Sequence, residues 1–191
     1  MNRDSGQTVI LYGVVITGLL FLAFAFFAVA QASTVRNGGQ TAADAAALAA
    51  AQDDRDELFD GFLEALDDGA AWQDWLNGIA AIAGDGCGEA DDFAAQNESD
   101  VLSCDEVTRN GDNGYTVKIE TRFDTGKTFV PGADNKKARA TATAVIKPLC
   151  DFDEGAEEIE ITCDGEDFSI DPEDEDIDLK PADLFSVVLV D

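Results

Sequence analysis

Residues 9–30 read VILYGVVITGLLFLAFAFFAVA, and no charged residue occurs from position 9 to position 32. A helix of this length spans the hydrocarbon core of a bilayer, which is about 30 Å thick. The sequence therefore predicts a transmembrane helix over residues 9–32, with a short cytoplasmic N-terminus over residues 1–8. A cleaved secretory signal is the alternative, because Ala28, Ala30 and Ala32 form a small-residue pattern. The apolar segment, however, exceeds the length of about 7 to 15 residues that signal peptides use.

A second helical stretch, QTAADAAALAAAQ, occupies residues 40–52. Alanine has the highest helix propensity, whereas each glycine costs about 1 kcal/mol relative to alanine. We therefore expect a stalk helix over residues 33–70, broken at Gly38 and Gly39. The alanine run is expected to be free to pack in an assembly, and the second half of the stalk to anchor on a head domain. The apolar residues of that second half are Phe59, Phe62, Leu63 and Leu66.

The formal net charge of the 191-residue chain is −28, from 12 basic and 40 acidic residues. Such a polyanion repels the phosphate backbone of nucleic acids and anionic lipid headgroups, so we expect no peripheral attachment to an acidic leaflet. We expect no nucleic-acid partner, whereas cations and basic partners are compatible with this charge.

The four cysteines, Cys87, Cys104, Cys150 and Cys163, all follow the apolar segment. Their separations favour two local disulfides, Cys87 with Cys104 and Cys150 with Cys163, although four cysteines allow three connectivities. Reduced cysteines are one alternative and a zinc site is another, but the chain has no histidine and no C-x-x-C motif. Disulfides indicate an oxidising compartment, so we predict that the C-terminal side is extracellular.

Residues 71–148 predict an extracellular α+β head in which helices pack on an antiparallel sheet. Two segments have helical spacing of apolar residues. The first contains Trp72, Trp75, Leu76, Ile79 and Ile82, and the second, over residues 87–96, has Ala90, Phe93 and Ala94 on its inner face.

Period-two alternation predicts two paired strands, one with Tyr115, Val117 and Ile119 inward and one with alanines from Ala138 to Ala144 inward. Residues 149–191 form an acidic extension with short strands near residues 157–163 and 168–170. A last apolar strand over residues 184–190 is expected to complete or extend the sheet.

The sequence contains no catalytic constellation. Histidine is absent, and no G-x-S-x-G, Walker or G-x-G-x-x-G motif occurs. Carboxylates are so abundant that pairs at catalytic distance are expected by chance. We therefore predict that the protein is not an enzyme and needs no cofactor.

One acidic run is a weak candidate for a calcium site, since hard cations prefer several oxygen ligands on one loop. It lacks the glycine and the ligand order of an EF-hand, so a solvated acidic run is the favoured interpretation. The candidate ligands are Asp171, Glu173, Asp174, Asp176 and Asp178.

Three features of the N-terminal third resemble TadE/TadG-like proteins of tight-adherence (Flp-type) pilus assembly. They are the start DSGQTVILY at residues 4–12, the apolar helix, and QTAADAAALAAA at residues 40–51. The resemblance implies a single-pass membrane protein that contacts other pilus or secretion-system subunits by helix packing, with homo-oligomers as a further option. It also implies an actinobacterial source.

The resemblance also implies a candidate processing site between Gly6 and Gln7. Pilins of this system are cut after a glycine that is followed five residues later by glutamate and then by an aromatic residue. Tyr12 matches the aromatic position, but Leu11 stands in place of glutamate. This departure favours an uncleaved, membrane-held protein over a polymerised major pilin.

The leading hypothesis is a non-enzymatic, membrane-anchored surface protein related to Tad/Flp pilus assembly, either pseudopilin-like or minor pilin-like. The alternative is an extracellular binding module, such as an adhesin or cation-dependent receptor, that uses a Tad-like anchor.

Overall fold

A computed structural model of the protein describes residues 5–68, 71–80, 84–127, 134–152, 159–171 and 179–190, with side chains from residue 9 onward. Within these ranges the chain forms four helices and seven strands. The helices are α1 (Ser5–Asp67), α2 (Trp72–Leu76), α3 (Gly86–Gln96) and α4 (Pro181–Leu184). The strands are β1 (Ser99–Arg109), β2 (Asp112–Asp124), β3 (Lys137–Pro148), β4 (Cys150–Phe152), β5 (Ile159–Cys163), β6 (Glu166–Ile170) and β7 (Phe185–Val190).

Helix α1 continues without interruption for 63 residues, so the predicted break at Gly38 and Gly39 is wrong. The glycines lie where the helix backbone approaches the sheet. A Cβ atom built on Gly38 would lie 2.8 Å from the ring of Phe123, and one built on Gly39 would lie 2.9 Å from Cβ of Ala138. Packing against the sheet thus offsets the low helix propensity of the glycine pair.

The alanine run of α1 is buried in the head, so the predicted free stalk is also wrong. Burial along α1 begins at Val35 and continues to Leu66. Six alanines have no exposed surface: Ala42, Ala43, Ala46, Ala47, Ala50 and Ala51. Because alanine side chains are short, the helix axis lies close to its neighbours, and residues 35–67 form the central helix of the head.

The main sheet is antiparallel, with strand order β1-β2-β3-β7. Val117 pairs with Ala142 and Tyr115 pairs with Ala144, and all four side chains are buried. Helix α1 contacts the sheet mainly through β2 and β3. The predicted alternation in both strands and the α+β fold class are therefore confirmed, and β7 extends the sheet as expected.

Strand β1 is a feature that the sequence pattern did not predict. It pairs with β2 from Ser99 to Arg109, yet Ser99 is its only buried residue. Since most of the strand is solvent-exposed, its sequence lacks the apolar alternation that marks a half-buried strand.

The two short helices of the head differ in part from the prediction. Helix α2 ends at Leu76, and Ile79 is 65% exposed, whereas Ile82 lies outside the described residues. In α3, Ala90 and Ala94 are buried, but Phe93 is 38% exposed. Helix α3 packs so closely on α1 that a Cβ atom on Gly86 would lie 2.8 Å from the Ala50 carbonyl oxygen, which leaves no room for a phenyl ring at this interface.

A second sheet, ordered β4-β5-β6, packs near the C-terminal end of α1. Its Phe152 contacts Trp72 edge to face, with ring centroids 5.0 Å apart, and Trp72 contacts Phe62 of α1 in the same manner. The two disulfides are Cys87–Cys104, between α3 and β1, and Cys150–Cys163, between β4 and β5. This is the pairing that the sequence separations favoured.

Replacement of Gly39 by alanine tests the close contact between α1 and β3. In an open helix this change stabilises by about 1 kcal/mol, but the steric conflict with Ala138 costs about 1–3 kcal/mol. We expect a net decrease in the free energy of unfolding, measured by urea titration with tryptophan fluorescence in detergent. The control is Asn37→Ala, an exposed position of the same helix, which should not destabilise. Equal stability of the two variants would contradict the close contact.

Candidate functional site

The N-terminal part of α1 carries a large exposed apolar surface. Each of its large apolar residues from Val9 to Val29 is at least 50% exposed. Within the described residues, α1 is the one helix long and apolar enough to cross a membrane, and its most apolar window is not buried at all. Exposure of this much apolar surface to water is unfavourable, so the surface requires lipid or partner helices.

Gly13 and Thr17 lie four residues apart and therefore on one face of this helix. A Cβ atom on Gly13 would meet nothing within 4 Å, and the Thr17 hydroxyl donates a hydrogen bond to the Gly13 carbonyl oxygen at 2.8 Å. Small residues with satisfied hydrogen bonds permit a second helix to approach closely in a membrane. Helix packing is thus sterically open at this face.

The membrane helix joins the head at the hairpin end of β2 and β3. A groove of about 430 Å³ lies between the two, with walls formed by Phe27, Ala30, Gln31, Thr34 and Val35 on α1 and by residues 123–126 on the sheet. Since Phe27 and Ala30 belong to the apolar segment, no spacer separates the predicted membrane span from the head.

The candidate processing residues Gly6 and Gln7 lie in the first turn of α1. Leu11, at the position where processed pilins carry glutamate, is 65% exposed on the apolar surface. Cleavage between Gly6 and Gln7 stays untested by the fold.

Four of the five candidate calcium ligands, Glu173, Asp174, Asp176 and Asp178, lie outside the described residues. The fifth, Asp171, directly follows β6. In the part of the chain that is described, no three acidic or cysteine residues are grouped so that they could hold a metal ion. The calcium site therefore stays an untested and weak candidate.

Sequence reasoning missed a buried carboxyl group in the head. Asp54 of α1 is 6% exposed and borders a cavity of about 400 Å³, whose walls include Glu106, Asn113 and Tyr115. Its Oδ1 atom has no hydrogen-bond partner among the described residues. The sequence pattern could have indicated this burial, because Asp54 lies at helical spacing from Ala47, Ala50 and Leu58, which are all buried.

Burial, supported by the negative charges of Asp53, Glu57 and Glu106, raises the pKa of Asp54 to about 6, although hydrogen bonding to Tyr115 opposes the shift. The pKa of Tyr115 is raised as well, by burial first and then by its interaction with Asp54. The Asp54 carboxyl group therefore titrates closer to neutral pH than an exposed aspartate does.

Comparison with known families gives one match. Residues 6–53 match the family model described as "Putative Flp pilus-assembly TadE/G-like". The resemblance drawn from the N-terminal third is therefore confirmed, and the matched segment contains both the exposed apolar surface and the alanine run inside the head. No curated protein and no solved structure shows significant similarity to the chain.

The replacement Asp54→Asn tests the buried carboxyl group. Because the pKa is higher in the folded than in the unfolded state, Asp54 binds a proton on folding, and its ionisation destabilises the fold progressively as the pH rises from about 4 to above 6. A shift of this size corresponds to at most about 3 kcal/mol. We expect the variant to be more stable than the wild type at about pH 7.5 and equally stable near pH 4.

Thermal unfolding across this pH range measures the difference. The control Asp60→Asn removes the same charge from an exposed position of α1, and we expect it to leave the pH profile unchanged. If Asp54→Asn and Asp60→Asn give the same profile, the carboxyl group of Asp54 is not desolvated.

Proposed function

We propose that the protein is a non-enzymatic, single-span component of a Tad/Flp pilus assembly system, pseudopilin-like or minor pilin-like, with its head outside the cell. The observation that carries this proposal is the division of one rigid helix between two environments. The family-matched segment runs from the exposed apolar surface directly into the buried alanine run.

This division supports assembly by lateral helix packing. Helix α1 has no flexible linker between the apolar surface and the head, since it continues to Asp67. Contacts made in the membrane by Gly13 and Thr17 therefore fix the orientation of the head. A tethered binding module does not need a rigid connection to its anchor, because a flexible linker would let it reach its ligand.

The extracellular orientation is supported by Cys87–Cys104 and Cys150–Cys163, because disulfides persist in oxidising compartments. The absence of histidine from the sequence supports a non-enzymatic role. The Asp54–Tyr115 pair is explained without catalysis, as a buried polar contact between α1 and the sheet.

Site-specific photocrosslinking tests lateral packing in native membranes. A benzophenone amino acid at Phe21, which is 72% exposed on the apolar surface, should crosslink to membrane helices of other assembly subunits or to a second copy. The matched control is the same substitution at Phe93, an exposed phenylalanine on α3 of the head. Crosslinks to lipid alone from Phe21 would contradict helix packing and favour the anchored binding module.

Intact mass of the membrane-extracted protein tests processing and oxidation together. We expect the Gly6–Gln7 bond to be intact, because Leu11 replaces glutamate. Reduction should add roughly four hydrogen atoms, two for each disulfide. A mass that lacks residues 1–6 would instead identify a processed minor pilin, and no gain on reduction would contradict the extracellular location.

A further inference from the structure

The charge of the head is distributed unevenly along the sheet. Residues 118–139 contain six basic and three acidic residues, although the whole chain has 12 basic and 40 acidic ones. The residues at positions 128–133 carry no charge and do not alter this balance. About half of the basic side chains thus fall in one hairpin of a strongly acidic protein.

Three lysines lie together at the end of this hairpin. The Thr125 amide donates to the Lys136 carbonyl oxygen at 3.1 Å, and the Asn135 amide donates to the Gly126 carbonyl oxygen at 2.9 Å. These bonds hold the two strand ends side by side, with Lys127 on one and Lys136 and Lys137 on the other. We call these three residues the lysine cluster.

The hairpin end has a net positive charge, since the three lysines outnumber its two acidic residues, Asp124 and Asp134. Lys127 and Lys136 are exposed and form no ion pair with any described residue. Lys137 is 3.7 Å from Glu120, but that carboxylate is already paired with Arg139 at 2.9 Å.

The same hairpin end lies next to the membrane span. The groove beside Phe27 and Ala30 is closed on its other side by residues 123–126, which directly precede Lys127. Along α1, the distance from Val9 to Phe27 is about 27 Å, close to the thickness of the hydrocarbon core. If Val9 lies at one boundary of that core, Phe27 lies at the other, and the lysine cluster is at the level of the lipid headgroups.

We propose that the lysine cluster binds the phosphate groups of anionic phospholipids in the leaflet from which α1 emerges. This inference depends on the membrane anchoring proposed above. The overall negative charge does not prevent such binding, because electrostatic interactions decay over about 8 Å at physiological ionic strength. Strand β2 extends roughly 40 Å from Asp124 to Asp112, so the acidic groups at its far end are screened from the lipid.

Lipid retention by the full-length protein tests the proposal. The protein is reconstituted into nanodiscs that contain phosphatidylcholine and phosphatidylglycerol, and native mass spectrometry counts the lipids that stay bound after release into mild detergent. Lysines at an anionic surface favour anionic over zwitterionic lipid, so we expect at least roughly tenfold enrichment of phosphatidylglycerol over its bulk fraction. The variant K127Q/K136Q/K137Q should retain the two lipids in their bulk ratio.

The control variant R109Q/K147Q/K180Q removes the same charge from exposed positions outside the hairpin end, and we expect it to retain the enrichment. Unchanged enrichment in the lysine-cluster variant would overturn the proposal. If both variants lost the enrichment equally, net charge would explain it, and the proposal would also be overturned. Failure of the wild-type protein to enter nanodiscs would instead contradict the membrane anchoring itself.

Discussion

The close contact between α1 and the sheet is the constraint on which the rest of the structure depends. Small side chains allow the backbone of α1 to lie close to β2 and β3, and every buried position of α1 from Gly39 to Ala51 is glycine or alanine. On the sheet, the alanines of β3 meet the helix in the same way. Larger side chains enter the core only beyond this contact, where Phe62 and the residues around Trp72 fill the space between α1 and the second sheet.

The same helix meets two solvents with opposite requirements. Its first half has bulky apolar residues on every side, which suits lipid. Its second half buries small residues up to Ala51 and larger ones from Leu58 onward, and many of its exposed residues are acidic. The change occurs near Val35, where the helix faces residues 123–126 across the groove and the head begins. A family model that ends at residue 53 thus covers the membrane helix together with its attachment to the head, while the rest of the sheet and the acidic C-terminal region lie outside it.

Sequence patterns predicted those parts of the fold that depend on local periodicity. The alternation around Val117 and Ala142 and the separations of the cysteines were enough to place two strands and two disulfides. The errors arose where tertiary contacts override local preference. The glycine pair was interpreted through helix propensity alone, although contact with Phe123 and Ala138 explains it. Strand β1 is specified by backbone pairing with β2 rather than by apolar side chains. Asp54 is buried, but composition does not distinguish it from the other acidic residues, of which the chain has 40 in all.

The continuity of α1 also makes the head a fixed extension of the membrane helix in angle as well as in position. Each residue of an α-helix advances the chain by 1.5 Å and turns it by about 100°. Insertion or deletion of a single residue between Val29 and Val35 would therefore swing the sheet around the helix axis by more than a quarter turn relative to the face that contains Gly13 and Thr17.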